Sequence, residues 1–356
     1  MCAACGNNQP LAAASPTPTA NPTPSAIATP SPSPTPTPSL APSPTATPCP
    51  SPSSLISAPL WPRATNIAYD STLSQVLLFG GLGATISNDT WVWDGSQWTR
   101  QDSTTTPTTR EGAALADDPQ HHAVVMFGGD KTGDYRGDTW LWNGAWHAVC
   151  PAHSPSPRTG AAMTYDPVRH LILLFGGFDG TELNDTWVWN GTDWAQKSPA
   201  TSPPARQYSR LAFDPARGNA VLFGGFGGLT DTWTWDGNNW TQRHPSRTPA
   251  GVSDTTPLPE AMVYDSARKV ILFVAPIDGS TSTADATMET WTWNGITWTR
   301  LAPAASPPPR DGYGLAYDAA RSLVVLAGGF PVGSADPTTT WAWDGVTWSD
   351  LTGLVA

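Results

Sequence analysis

Eighteen of the chain's 19 tryptophans fall into six copies of one pattern, W-x-W-[DN]-G-x-(x)-W, and that repetition limits the fold more than any other feature. The copies are Trp91-Trp93-Trp98, Trp140-Trp142-Trp146, Trp187-Trp189-Trp194, Trp233-Trp235-Trp240, Trp291-Trp293-Trp298 and Trp341-Trp343-Trp348. Their first tryptophans stand 49, 47, 46, 58 and 50 residues apart. Upstream of each copy an Asp follows an aromatic residue at Tyr69-Asp70, Tyr165-Asp166, Phe213-Asp214, Tyr264-Asp265 and Tyr317-Asp318, with Asp117-Asp118 in the second copy. Ten residues after that Asp a Gly-Gly begins at Gly80, Gly128, Gly176, Gly224 and Gly328, whereas the fifth copy has Ala275-Pro276.

Each copy reads as four short strands. In the third copy the first strand spans about 160–165 and ends in an Asp-Pro turn. The second is the continuous apolar run Leu171 to Phe175, as expected of a strand covered on both faces, and Gly-Gly ends it. The third carries Trp-x-Trp, whose period of two puts both indoles on one face. Asp-Gly or Asn-Gly then makes a two-residue hairpin turn, and the fourth strand brings the last Trp back beside the other two. Sheets that are apolar on both faces need neighbours on both sides, which radial stacking supplies. The expectation is an all-β, six-bladed β-propeller of four-stranded blades, each complete in itself.

The unit Arg-x-Gly, Tyr-Asp, Phe-Gly-Gly, Asn-Asp-Thr-Trp-x-Trp-Asp-Gly-x-x-Trp resembles the Kelch repeat, best seen from Phe79-Gly80-Gly81 to Asn88-Asp89-Thr90-Trp91. The likeness covers about 63–351, and the fifth copy departs most from it. It implies a propeller of the kind found both in binding domains and in the galactose oxidase class. The copper chemistry of that class uses Tyr and His ligands, including an adjacent Tyr-His pair, and a Cys crosslinked to Tyr. No Tyr-His step exists here, and Cys150 has no evident Tyr partner. HExxH and G-x-S-x-G are absent, and the single Cys-x-x-Cys, at Cys2 and Cys5, lies in the tail. A glycosidase needs two carboxylates about 5 to 9.5 Å apart, which a sequence does not display.

The first sixty residues are of different composition. Residues 1–60 hold no Asp, Glu, Lys or Arg and 16 of the 38 prolines, so they cannot bury enough apolar area to offset chain entropy. A Pro/Ser/Thr-rich disordered stalk is expected there, and the globular body is 61–356. Ala3-Ala4-Cys5-Gly6 resembles the end of a bacterial lipoprotein signal, in which the Cys is lipidated and becomes the mature N-terminus. The apolar segment of such a signal would lie upstream of Met1. The resemblance implies a surface lipoprotein, secreted or lipid-anchored outside the cytoplasm. Cys49 and Cys150 are then either two thiols or a pair. The formal charge of −11, with 18 Lys+Arg against 29 Asp+Glu, excludes a partner held by nucleic-acid phosphates.

On such a disc the turn after the first strand and the Asp-Gly hairpin share one face and vary little. The connections from strand two to strand three vary in length and share the other face, which is where a ligand is expected. Arg110, Arg158, Arg206 and Arg310 each lie 12 residues after the last Trp of the preceding copy, at the start of an inner strand. Arg63 is one position out of step, and Pro257 takes the slot in the fifth copy. Such a ring could hold a carboxylate, sulfate or phosphate group, or each Arg could brace carbonyls between blades. The repetition favours bracing. Residues that break the repeat are the other candidates. Tyr208 replaces the glycine of Gly112 and Gly160, and Tyr313 follows Gly312, so both are expected at the pore mouth. Tyr135 and Arg136 lie in the most charged loop, 130–138, whose three Asp do not match an EF-hand.

The expectation for function is a monomeric binding module for a glycan or a protein, with no cofactor, no metal and no membrane contact beyond a lipid anchor. Two alternatives stay open: a carbohydrate-active enzyme, either a copper-oxidase relative or a sialidase-like hydrolase, and a structural surface protein.

Overall fold

The computed structural model describes residues 66–82, 85–249, 261–276, 288–331 and 339–351. The expected stalk, Cys5 with its lipidation, Cys49, Arg63 and Pro257 lie outside the described residues. Cys150 is disulfide-bonded.

Six four-stranded antiparallel sheets follow one another along the chain, each built from four strands in chain order, with one small hairpin inserted within the second. The first strands are Asn66–Asp70, Ala114–Asp118, Ala162–Asp166, Arg210–Asp214, Ala261–Asp265 and Arg310–Asp318. Each packs on the next, and the sixth packs on the first, so these strands form the inner ring of a closed six-bladed propeller. Among the described residues no blade borrows a strand from another. Among the described residues no helix is long and apolar enough to cross a membrane.

The apolar second strands are buried throughout, Ala123–Phe127 being an example. Every Trp triad faces the blade before it: Trp140, Trp142 and Trp146 pack with Ala68, Leu77 and Phe79, and Trp233, Trp235 and Trp240 pack with Leu173 and Phe175. The second and third tryptophans pair directly across the hairpin, Trp189 with Trp194 and Trp235 with Trp240, at centroid distances of 5.4 and 5.3 Å. In blades two, three and four the third Trp also meets a Phe of the preceding blade edge-on, as in Phe175–Trp240 at 5.1 Å.

One hydrogen bond occurs at all six seams. The indole N–H of the third Trp donates to the hydroxyl of the Thr that precedes the first Trp of the blade before it. The pairs are Trp146–Thr90 at 2.8 Å, Trp194–Thr139 at 3.0 Å, and Trp240–Thr186, Trp298–Thr232 and Trp348–Thr290 at 2.9 Å. The ring closes with the same bond, Trp98 to Thr340 at 2.9 Å.

Two local details differ from the sequence expectation. The Gly pair does not always end strand two: in the first, third and sixth blades the strand continues through it, as in Leu171–Phe178, with a register shift between Phe175 and Gly177. A Cβ on Gly176 would stand 2.6 Å from the Arg206 carbonyl oxygen of the next blade, so the pair is where two blades' backbones touch. The third-to-fourth connection is also longer than two residues. Because Trp93 pairs with Trp98, residues 94–97 form the loop, and Asp94 Oδ1 accepts the N–H groups of Ser96 and Gln97.

Replacing Thr186 by the isosteric Val removes the acceptor and leaves the buried Trp240 N–H unsatisfied. The expected cost is about 1–3 kcal/mol in urea unfolding, with the fold retained.

Candidate functional site

The four arginines of the expected ring do not face the pore. Arg110, Arg206 and Arg310 are 0% exposed and Arg158 is 1% exposed. Arg110 grips Asp138 with both terminal nitrogens, at 2.6 and 2.8 Å, and donates to the carbonyl of Gly128 at 3.0 Å. Arg158 repeats this with Asp185 and Gly176, and Arg206 with Asp231 and Gly224. Each acceptor Asp also takes the indole N–H of the first Trp of its blade, as Asp231 does from Trp233 at 2.7 Å. The side chain therefore braces the Gly bulge of its own blade, while its backbone carbonyl accepts from the preceding blade, as Gly177 N–H does to Arg206 at 2.9 Å. Arg310 meets Thr339 in place of an Asp, and burial lowers its pKa to about 10. Burial pushes the Asp231 carboxyl up, but the Arg206 bonds outweigh it and hold the group below the usual range; Asp138 behaves the same way with Arg110.

Tyr313 is also not at the pore mouth. It is 1% exposed, packs between the fifth and sixth blades, and donates its hydroxyl to the Val274 carbonyl at 2.8 Å.

Tyr208 is different. It takes φ +54°, close to the +63° and +62° of Gly112 and Gly160 in the matching positions, which is unusual for a bulky side chain. Backbone bonds link the three positions around the inner ring: Gly160 N–H to Gly112 O at 2.8 Å, and Tyr208 N–H to Gly160 O at 2.7 Å. The tyrosine ring covers Gly160, where a Cβ would stand 3.2 Å from its carbons, and its hydroxyl reaches over Gly112. Burial raises the phenol pKa, and Asp130 and Glu111 raise it further against Thr159 and Arg210. Glu111 is raised by burial first and then by Asp130. Glu111 and Asp130 exchange backbone hydrogen bonds at 2.9 Å.

Asp130 opens a small hairpin found only in the second blade among the described residues, Asp130–Lys131 against Asp134–Tyr135. From it Tyr135 leans edge-on against Phe178 of the third blade, with centroids 5.8 Å apart, and Arg136 pairs with Asp134 at 2.8 Å. The loop face of blades two to four thus gathers Glu111, Asp130, Tyr135, Arg136 and Tyr208. Sequence reading named three of these. Glu111 stands where the third and fourth copies have Thr159 and Gln207, but the sixth copy also has an acid there, Asp311, so the repeat alone did not single it out. The arrangement presents an aromatic ring and acceptor oxygens, with no uncommitted guanidinium from the arginine ring.

A separate cleft of about 580 Å³ lies beside the fifth blade, lined by Arg247, Met288, Glu289, Arg300, Leu301 and Ser306. Its charges are partly spent, since Arg300 pairs with Glu289 at 2.9 Å. Among the described residues no group of three His, Cys, Asp or Glu is arranged to hold a metal ion.

Another departure from the repeat lies on the opposite face. Asp117 occupies the position that is aromatic in the other five copies, and burial, aided by Asp70 and Asp118, raises its pKa to about 7.

The fold and this geometry define a six-bladed β-propeller. No protein-family model matches the chain, and no curated protein matches it.

Asp231→Ala strands a buried Arg206 and is expected to cost about 3–5 kcal/mol by urea unfolding. For Asp117 the folded state keeps its proton above the ordinary value of 3.8, where the unfolded chain has lost it. Stability therefore falls as pH rises from near 4 to about 7 and levels off above. Asp117→Asn removes that slope. A thermal-melting series should show the variant level with the parent at the acid end and above it at pH 8.

Proposed function

We propose that this protein is a Kelch-type binding module outside the cytoplasm that holds a glycan or protein partner on its loop face. The observation that carries the reading is Tyr208. A bulky residue is held in a left-handed conformation that three sister copies give to glycine, at Gly112, Gly160 and Gly312, at a cost of order 1–3 kcal/mol, and its ring lies over the inner ring of blades two and three. Strain retained at a break in an otherwise regular scaffold supports a role other than packing. The disulfide at Cys150 suits an oxidising compartment, as do the composition of residues 1–60 and the lipoprotein-like Ala3-Ala4-Cys5-Gly6.

The ligand chemistry this favours is a neutral glycan. An acidic group would meet Glu111 and Asp130, while the four arginines that would have attracted it are committed to Asp138, Asp185, Asp231 and Thr339. A sugar ring stacked on Tyr208 could donate hydroxyls to Glu111. A second reading, a glycan hydrolase, is favoured by one observation: Glu111 has a raised pKa beside a second carboxylate, as a general acid requires.

A glycan array and titration with the full chain test both readings. Saturable binding of a neutral glycan is expected, weakened about tenfold or more in Tyr208→Ala, equal to about 1.4 kcal/mol. The variant's melting temperature is measured alongside. Turnover of the bound glycan that Glu111→Gln abolishes would move the assignment to the hydrolase. Absence of glycan binding in both forms would leave a protein partner or a structural role.

A further inference from the structure

On the face opposite the loops, every inner strand ends in a buried Asp whose Oδ1 caps the following turn. Three residues beyond it a side chain reaches the next blade. In four seams that side chain is an arginine. Arg169, Arg217, Arg268 and Arg321 donate Nη1 to Oδ2 of Asp166, Asp214, Asp265 and Asp318 at 2.6 to 2.9 Å. Arg169, Arg268 and Arg321 also donate Nη2 to the carbonyls of Asp236, Asp344 and Asp94 in the next blade. Each of the four guanidiniums lies against the hairpin glycine there, at Gly237, Gly295, Gly345 and Gly95. Between the second and third blades His121 does the same work, with Nδ1 on Asp118 Oδ2 at 2.8 Å and its ring against Gly191.

Between the first and second blades the cation is missing. Leu73 stands in the arginine position and ends at Cδ, three bonds short of the terminal guanidinium nitrogens. Its Cδ1 stays 3.8 Å from where a Gly144 Cβ would be, and it is 44% exposed, so it does not fill the seam. Asp70 is 1% exposed; its Oδ1 accepts the N–H groups of Thr72 and Leu73, and its Oδ2 has no hydrogen-bond partner. The Gln75 amide and the Trp142 indole come near enough to oppose the rise that burial gives its pKa, but neither closes on Oδ2, and the Trp142 N–H is itself unpartnered. A second carboxylate stands beside it, Asp117, which accepts the Ser71 N–H at 3.3 Å. Where four of its sisters balance one Asp with one Arg and the fifth uses His121, this seam holds two acids.

We propose that the seam between the first and second blades is a binding site for a guanidinium group, the side chain of an arginine presented by a partner protein. The guest bridges Asp70 Oδ2 and the Asn143 carbonyl as the chain's own arginines bridge the equivalent atoms in the sister seams. The planar fork with two acceptors selects a guanidinium over an ammonium ion. The position is reachable, because the four sister arginine side chains are 32–37% exposed while their Asp partners are 0–4% exposed. Asp117 supports the reading: a group that burial, aided by Asp70 and Asp118, keeps protonated to about 7 gives up its proton when a cation arrives. The groups facing it are Asp70 and Asp118, with Tyr165 from the third blade. The site is on the face away from Tyr208 and does not depend on a glycan being bound there.

The test is a titration of the full chain with N-acetyl-arginine amide, and with the matched uncharged citrulline amide, followed by NMR at the Trp142 indole N–H. A saturable shift is expected with the arginine compound and a response at least about tenfold weaker with citrulline. Leu73→Arg supplies the group from within the chain, so it should raise the melting temperature and abolish the titration. Asp70→Asn, which keeps the shape and removes the charge, should abolish it as well and serves if Leu73→Arg does not fold. Equal or absent responses to the two compounds, or a titration that survives either substitution, would overturn the proposal and leave water as the partner of Asp70.

Discussion

The bond from the last Trp of one blade to the Thr of the blade before it is the constraint on which the rest of this ring depends. A four-stranded sheet with apolar residues on both faces cannot persist alone, because one face would stay in water. Each Trp is placed against the preceding blade by its ring and fixed in register by its single N–H donor. A shift of one residue along the strand would move the indole to the other face of the sheet and leave both the N–H and the Thr hydroxyl buried without partners. The bond between Trp98 and Thr340 is as short as those within the chain's interior. Closure here uses the same contact as every other seam. No exchanged strand is needed to hold the last blade to the first.

A second layer of fixation acts inside each blade, and its exceptions show why it is there. In blades two, three and four an Arg from the start of the inner strand reaches across the sheet to an Asp two residues before the first Trp. Isolated, either charge would be costly at that depth; paired in a fork and joined by a carbonyl and an indole N–H, both are satisfied. In the first and fifth blades the acid is kept but its partner comes from the fourth strand, Arg100 to Asp89 and Arg300 to Glu289, each at 2.9 Å. The acid that receives the Trp N–H in blades two to five is thus always supplied with a cation, from whichever strand has one. Blade six has Thr339 instead and leaves Arg310 on neutral acceptors, so burial lowers its pKa despite the opposing pull of Tyr313 and Asp350.

The blade count, the strand order and the inward Trp triads were legible because they depend on periodicity, which a sequence displays directly. The arginines were legible as a ring but not as a set of pairs. Asp138, Asp185 and Asp231 lie 25 to 28 residues further on, and only the depth of the inner strand's start, set by the Gly bulge, turns the guanidinium inward. Tyr313 was misplaced for a related reason. One step along a strand separates a residue that faces the channel mouth from one that packs between blades, and Tyr313 stands one position after the glycine whose place Tyr208 takes. The vacant clasp at Leu73 was unreadable until the other clasps were seen, since a leucine in a turn is unremarkable by itself.

In a molecule built of six near-copies, a feature that recurs must satisfy the fold, because each seam poses the same packing problem and receives the same answer. A departure is informative when something near it is left unsolved. Ala275-Pro276 in place of Gly-Gly is a departure with its problem removed: the pairing with the third strand continues through Ala275–Glu289 and Pro276–Met288 in unbroken register, and no bulge is needed. Tyr208 keeps the glycine conformation without the glycine, and Asp70 keeps the clasp carboxylate without the clasp. In both places the backbone still has the geometry of the repeat while one side chain no longer fits it. Those two residues lie on opposite faces of the disc, so a partner engaged through one leaves the other accessible.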